Sequence, residues 1–288
     1  MAESVKNYFI IILLALIWGS SFILMKKGLE VFDFFQVASL RISIAFFSLI
    51  PLSLKAINSI KYKHFIPIVI VSFFGTAIPA FLFSKAQEEL DSSLIGILNS
   101  IVPLFTLIFS FFFFKFKILK TNIIGVIIGF FGVLLLLFKN LDHEIIFNQY
   151  IFMVIIATIC YAISINVIKC YLNDLDASVI ATLSFLVIGP FASLCVINAD
   201  FFHVLQNNQN AYKALFYIAL LAIFGTSVAT IIFNKLLRRT SPIFVSSVTY
   251  LIPLVAILWG LFDGEVITIN YVIGFITILS GVYLVNKK

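Results

Sequence analysis

Apolar residues in this chain come in long unbroken runs, each about as long as a helix that crosses a bilayer. The runs cover residues 8–25, 34–54, 65–84, 92–114, 121–138, 150–168, 177–199, 214–234, 241–262 and 267–286, and all but the second are free of charge. A hydrocarbon core of roughly 30 Å takes about 20 helical residues. The runs show no alternation of period two, so they predict spanning helices and not barrel strands. The expected fold is an all-α membrane protein of ten transmembrane helices. The longest connection, residues 200–213, holds the polar run Gln206 to Asn210 and leaves no room for a soluble domain. The first run is longer than a typical signal-peptide core and no small-x-small site follows it, so it is expected to be retained.

Composition agrees and narrows the class. With 62% hydrophobic and 11% charged residues over 288 positions, the chain has too little polar surface for a soluble domain. Cys160, Cys170 and Cys195 have no metal-ligand spacing and no even-numbered framework, and read as small apolar packing residues. No metal or cofactor is expected.

The net charge of +6 is a topology signal and not a nucleic-acid footprint. With the N-terminus placed in the cytoplasm, the loops on that side carry Lys6, Lys55, Lys61, Lys63, Lys115, Lys117, Lys120, Lys169, Lys235, Arg238, Arg239, Lys287 and Lys288. The opposite loops carry only Lys26, Lys27, Lys85, Lys139 and Lys213. Positive charge marks the cytoplasmic side, which puts both termini inside. Of the acids, Glu3, Asp174 and Asp176 fall inside and the rest outside.

The chain also repeats itself. At an offset of 150, residues 73–85 (FFGTAIPAFLFSK) lie over 223–235 (IFGTSVATIIFNK), and Pro103-Leu104 lie over Pro253-Leu254. At 149, Gly125 and Gly132 meet Gly274 and Gly281, and at 142 Tyr8, Ala15, Ile17 and Lys27 meet Tyr150, Ala157, Ile159 and Lys169. Residues 1–140 and 141–288 therefore read as two five-helix units. An odd number of helices makes the second unit enter the membrane from the opposite face, which gives the inverted-topology repeat of many secondary transporters.

The paired prolines Pro103 and Pro253 fall in the middle of their runs. A proline inside a helix removes one donor and frees the carbonyl four residues earlier, here those of Asn99 and Thr249. A freed carbonyl facing lipid costs several kcal/mol, so the prolines are expected to kink their helices beside a central cavity. Asn99, Ser100, Thr249 and Tyr250 are expected to line it, with Thr76 and Thr226 beside them. Trp18, Tyr161 and Asn166, mid-run in helices one and six, either line the cavity or bond between helices. Trp259, nearer a helix end, reads as an interface anchor. Arg41 is the one charge well inside a run, about 10 Å deep at 1.5 Å per residue. Such a charge marks function or pairs structurally, with Asp33 or Glu30 as partners in reach. Its counterpart at offset 142 is Leu183. The run GVIIGFFG, 125–132, is a small-residue helix-packing seam.

Residues 15–49, with Trp18-Gly-Ser-Ser-Phe22 and an arginine early in helix two, and residues 86–114, with the helix-four proline, resemble the EamA-type bacterial members of the drug/metabolite transporter superfamily. The resemblance extends over essentially the whole chain. It implies ten helices in two inverted five-helix repeats around a central cavity built by the first four helices of each half. It also implies export of amino acids, other small metabolites or toxic compounds across the cytoplasmic membrane by alternating access. In the second half, residues 157–172 depart from the family pattern, carrying no glycine or arginine where these often stand.

The leading reading is an exporter of small metabolites, amino acids foremost, and the alternative of the same fold is a multidrug exporter, suggested by 16% aromatic residues. A membrane-embedded lipid enzyme is the reading from another class. Such an enzyme should gather His, Asp or Glu at one membrane face, yet His64, His143 and His203 fall in separate loops and no run contains an acid. The expected partners are a small-molecule substrate and the bilayer, with no nucleic acid, in a monomer or homodimer. Reporter fusions should place the loops at Asn58 and Thr240 in the cytoplasm and the loop at Asn207 outside. An external Thr240 loop would break the inverted repeat.

Overall fold

A computed structural model describes residues 2–114, 120–136 and 149–286. The expected unit boundary between 140 and 141, the side chain of Glu3, and Lys115, Lys117, Lys139, His143, Lys287 and Lys288 lie outside the described residues. Among the described residues there is no strand. Eight helices among the described residues are long and apolar enough to cross a membrane. They are α1 (Val5–Leu29), α2 (Phe34–Ser59), α3 (Tyr62–Ala86), α4 (Ser92–Phe113), α6 (Gln149–Tyr171), α7 (Ala177–Asn198), α8 (Ala211–Arg239) and α9 (Pro242–Phe262). Two further apolar helices, α5 (Lys120–Leu136) and α10 (Ile269–Asn286), complete the order. The chain is a multi-pass membrane protein.

Local chemistry sets the ends of these helices. Asp33 and Gln36 form a reciprocal capping box at the start of α2, and Ser241 accepts the amide of Phe244 just before Pro242 opens α9. Gly264, at φ +81°, reverses the chain after α9, a conformation that glycine adopts without steric cost.

α5 and α10 pack chiefly on each other and meet the rest of the bundle at α4. Their seam has no room for side chains. A Cβ placed on Gly281 would sit 2.5 Å from both the carbonyl oxygen of Gly125 and the amide nitrogen of Gly129. One placed on Gly132 would sit 2.8 Å from the backbone nitrogen of Ile278. In lipid there is no hydrophobic drive between helices, so close backbone approach at small residues supplies the attraction.

Four helices depart from regular α geometry in their middle. α4 runs from Ser92 to Asn99, breaks at Ser100–Ile101, and resumes at Val102. α9 runs through Pro242–Ser246, tightens to a 3-10 turn over Ser247–Tyr250, and resumes at Ile252. The prolines thus differ from the mid-helix kinks expected from sequence. Pro103 and Pro253 each occupy the second position of a new helical segment, where a missing N–H costs no intrahelical bond. α3 and α8 widen instead to π-helix, over Phe73–Ala77 and Leu221–Val228. Both widened turns contain the repeated Gly-Thr pair.

Replacing Gly281 by Leu should force α5 and α10 apart, at a cost of at least about 1–3 kcal/mol. The yield of monodisperse protein from detergent extracts should fall several-fold. Unchanged yield and melting temperature would show that the seam is not a packing contact.

Candidate functional site

The four irregular stretches surround one cavity of about 140 Å³ in the middle of the bundle. A cavity needs about 10–15 Å³ of such space to hold one water, so this one suits a small molecule. Its wall includes Val102 and Ile252, the first residues of the resumed segments of α4 and α9, together with Gly75-Thr76 and Gly225-Thr226 from the π-helical turns. π-bulges leave backbone groups displaced from regular pairing and recur at functional sites. Thr226 shows the effect: its hydroxyl donates to the carbonyl of Leu221, five residues back, at 3.1 Å.

Of the residues singled out from sequence, Trp18, Thr76, Asn99, Tyr161, Thr226, Thr249 and Arg41 lie in this wall. Trp18 donates its indole N–H to the carbonyl of Gly225 at 2.9 Å and packs on Phe233. The Tyr161 ring stacks on Phe83 at 5.8 Å. Thr249 donates to the carbonyl of Ser246 at 2.9 Å.

Ser100, Asn166, Tyr250, Pro103 and Pro253 do not reach the wall. The Ser100 hydroxyl turns back to the carbonyl of Ile97. Asn166 is fully buried between α4 and α6: it donates to the carbonyls of Ala162 and Thr106 at 2.9 and 3.2 Å and accepts from Ser110 at 2.7 Å. Its amide joins two helices, the second of the two roles open to it from sequence. Tyr250 packs half-buried against the core.

Arg41 enters the wall from α2. Its Nε donates to the Thr226 hydroxyl at 2.8 Å, and neither Glu30 nor Asp33 pairs with it. Glu30 bonds Lys27, and Asp33 caps its own helix.

Other wall residues gave no sequence signal by themselves: Ser21, Ser164, Ser184, Thr230, Asn234 and Ser246. Asn234 alone could have been found, as the one amide inside the repeated motif at 223–235. It is 1% exposed, yet neither its Oδ1 nor its Nδ2 has a hydrogen-bond partner. Asn99 is 6% exposed and its Oδ1 is likewise unpartnered. Buried polar atoms are rarely left unpaired, and each exception needs an explanation.

Polar clusters close the bundle at both ends. At one end, Glu265, just after α9, accepts from the amides of Ser92 and Ser93, each at 3.0 Å, and from Lys26 at 2.8 Å. Lys26 and Lys27 also pair with Asp263, at 2.8 and 2.7 Å. Burial works against the charged form of Glu265, but Lys26, the Ser93 hydroxyl and the two amides outweigh it and hold the carboxyl below its ordinary range. Asp263 is held down likewise, against burial, by Lys26 and Lys27. Asp91, beside them, is pushed up by burial and by the charge of Glu265.

At the opposite end, Lys169 of α6 donates to the carbonyls of Thr240 and Leu237 at 2.7 and 3.0 Å, capping α8. There Lys63 and His64 meet Asp174, whose carboxyl the Lys63 ammonium chiefly brings down to about 2. Asp176, at the same end, is lowered by Arg238.

The EamA-like transporter family model matches residues 5–138 and again 148–287. The chain is 24% identical over 286 residues to a protein of Archaeoglobus fulgidus named as an uncharacterized transporter, covering 98% of this chain and 99% of that one. It is 22% identical over 283 residues to the uncharacterized transporter YoaV of Bacillus subtilis, covering 95% and 94%. One solved crystal structure shares its fold, with a TM-score of 0.66 over 98% of this chain and 96% of that one, at 16% identity.

Asn234→Leu removes a buried amide with neither atom paired and Asn99→Leu one whose Oδ1 is unpaired, so melting temperature should hold or rise, since an unpaired buried polar group costs about 1–3 kcal/mol. Asn166→Leu breaks three bonds and should lower it. If all three variants melt lower to the same degree, the two cavity amides belong to the packing.

Proposed function

Because the chain belongs to the EamA-like transporter family, we propose that it is a secondary transporter that exports small metabolites, amino acids foremost, by alternating access at the central cavity. The observation that carries this reading is the cavity itself, bordered by two broken helices and two π-helical turns, with polar contacts at both ends of the bundle. Irregular backbone at membrane depth is tolerated where it lines such a space.

The proposed architecture is ten transmembrane helices in two inverted five-helix repeats, residues 1–140 and 141–288, with both termini in the cytoplasm. The double family match supports it. So does a reciprocity across the bundle: a Cβ on Gly75 would meet the Ser164 hydroxyl of α6, and one on Gly225 would meet the Ser21 hydroxyl of α1. Rocking of one repeat against the other would break the Lys26–Glu265 contacts at one end and the Lys63–Asp174 and His64–Asp174 contacts at the other in turn, since both sets join the two repeats. A multidrug exporter is the second reading, favoured by the aromatic part of the wall, which includes Trp18, Phe22, Phe83, Tyr161 and Phe233.

Among the described residues no Asp, Glu or His lines the cavity, and an arginine stays protonated throughout the accessible range. The proposed mode is therefore facilitated diffusion, with cargo moving down its own gradient. In proteoliposomes loaded with a mixture of neutral amino acids, those that cross should equilibrate, and a pH gradient of either sign should leave their steady-state distribution within about 20% of equality. Uphill accumulation that collapses with a protonophore would overturn this mode and would point to Asp91 or Glu265 as the proton carrier. No protein-dependent flux of any solute would count against transport itself.

A further inference from the structure

Resting on the transport reading, we propose that the cargo must carry a carboxylate, and that Arg41 is the residue that selects it. Arg41 lies deep in the bundle, where an unpaired charge is strongly disfavoured. Among the described residues no carboxylate lies within ion-pair distance of it. Its one hydrogen bond uses Nε, to Thr226, and so leaves the terminal N–H groups of the guanidinium for another partner. Those groups form the fork that matches a carboxylate's two oxygens. The side chain is partly accessible because it borders the cavity. The anion that completes this pair comes from whatever fills the cavity.

The rest of the wall points the same way. It holds no acid, so nothing in it could neutralise a cationic cargo. The resumed segments of α4 and α9, residues Val102–Phe114 and Ile252–Phe262, begin at the wall and turn the positive ends of their dipoles toward it. The hydroxyls of Ser21, Ser184, Ser246 and Thr249 are donated back to carbonyls of their own helices, leaving only neutral acceptors. With the unpartnered Oδ1 of Asn99, these can accept from the ammonium or hydroxyl beside the carboxylate, but they cannot offset the net positive charge of a cargo that has no carboxylate. Amino acids and hydroxy acids satisfy this wall. Amines and cationic drugs do not.

A structural role for Arg41, as a strut from α2 to Thr226 of α8, makes a different forecast, and one experiment separates the two. Proteoliposomes are loaded with an equimolar mixture built on the leucine, phenylalanine and serine skeletons: each amino acid, its hydroxy-acid analogue, its amide and its amine. Efflux is followed by mass spectrometry, with protein-free vesicles subtracted. Wild-type protein should release the amino acids and hydroxy acids at least about tenfold faster than the amides and amines. Arg41→Gln should fold as well as wild type and lose at least about tenfold of the carboxylate flux. Arg41→Lys should retain part of it. Melting temperatures of the purified wild-type protein with each compound give a second reading that needs no variant, and only the carboxylates should raise them. Amides or amines leaving as fast as carboxylates, or a carboxylate preference that survives Arg41→Gln, would overturn the assignment while leaving transport standing. Loss of folded Arg41→Gln protein, with no thermal shift by carboxylates on the wild type, would assign Arg41 to the strut. No protein-dependent efflux of any compound would overturn the transport reading and this inference with it.

Discussion

The absence of water from a hydrocarbon core governs this structure. Every backbone N–H and C=O at that depth must find a partner inside the protein, and each that fails costs several kcal/mol. Helices meet the demand within one segment, and the described residues are accordingly helical with no strand. The same demand dictates where helices can stop being regular. α4 and α9 break, and α3 and α8 widen, at the level of the cavity, and each of these stretches contributes to its wall.

Those interruptions supply what a binding space needs and a continuous apolar helix lacks. A π-helical turn brings Thr226 to where its hydroxyl can donate to Leu221 and accept from Arg41. The breaks in α4 and α9 bring two helix starts to the middle of the bundle, with polar side chains beside them. The ends are held by different chemistry. Glu265 binds Lys26 and the amides that start α4, whereas at the other end Lys169 binds only backbone carbonyls and Lys63 and His64 meet Asp174. Ion pairs at an end that opens must be remade in water, where their attraction is small. The ion pairs that join the two repeats can therefore hold each end together and still be released.

Asn99 and Asn234 show how stability and function diverge here. Both would be better replaced by apolar residues if packing were their only task, because a buried amide with unpaired atoms is a net cost. Asn166 is the opposite case: the same residue type, fully bonded between α4 and α6, holds the frame in place. Nothing in residue type or position along a helix separates the three. Only their neighbours do.

The linear pattern determined the membrane class, the helical content, the repeated motifs and the end-to-end segregation of charge, because each depends on composition over about 20 residues or on spacing along one chain. It also drew attention to Arg41 and to the neighbourhood of Asn99 and Thr249, since polar groups in an apolar run are conspicuous. It could not tell that Pro103 and Pro253 begin new helical segments instead of kinking old ones, because that depends on how the preceding turn is paired. Nor could it tell that Asn166 faces α4 while Asn234 faces the cavity, or that Arg41 meets Thr226 rather than a nearby acid. Those outcomes depend on the rotation of each helix about its own axis. Runs as uniformly apolar as these leave that rotation undetermined, and only packing against the other helices decided it.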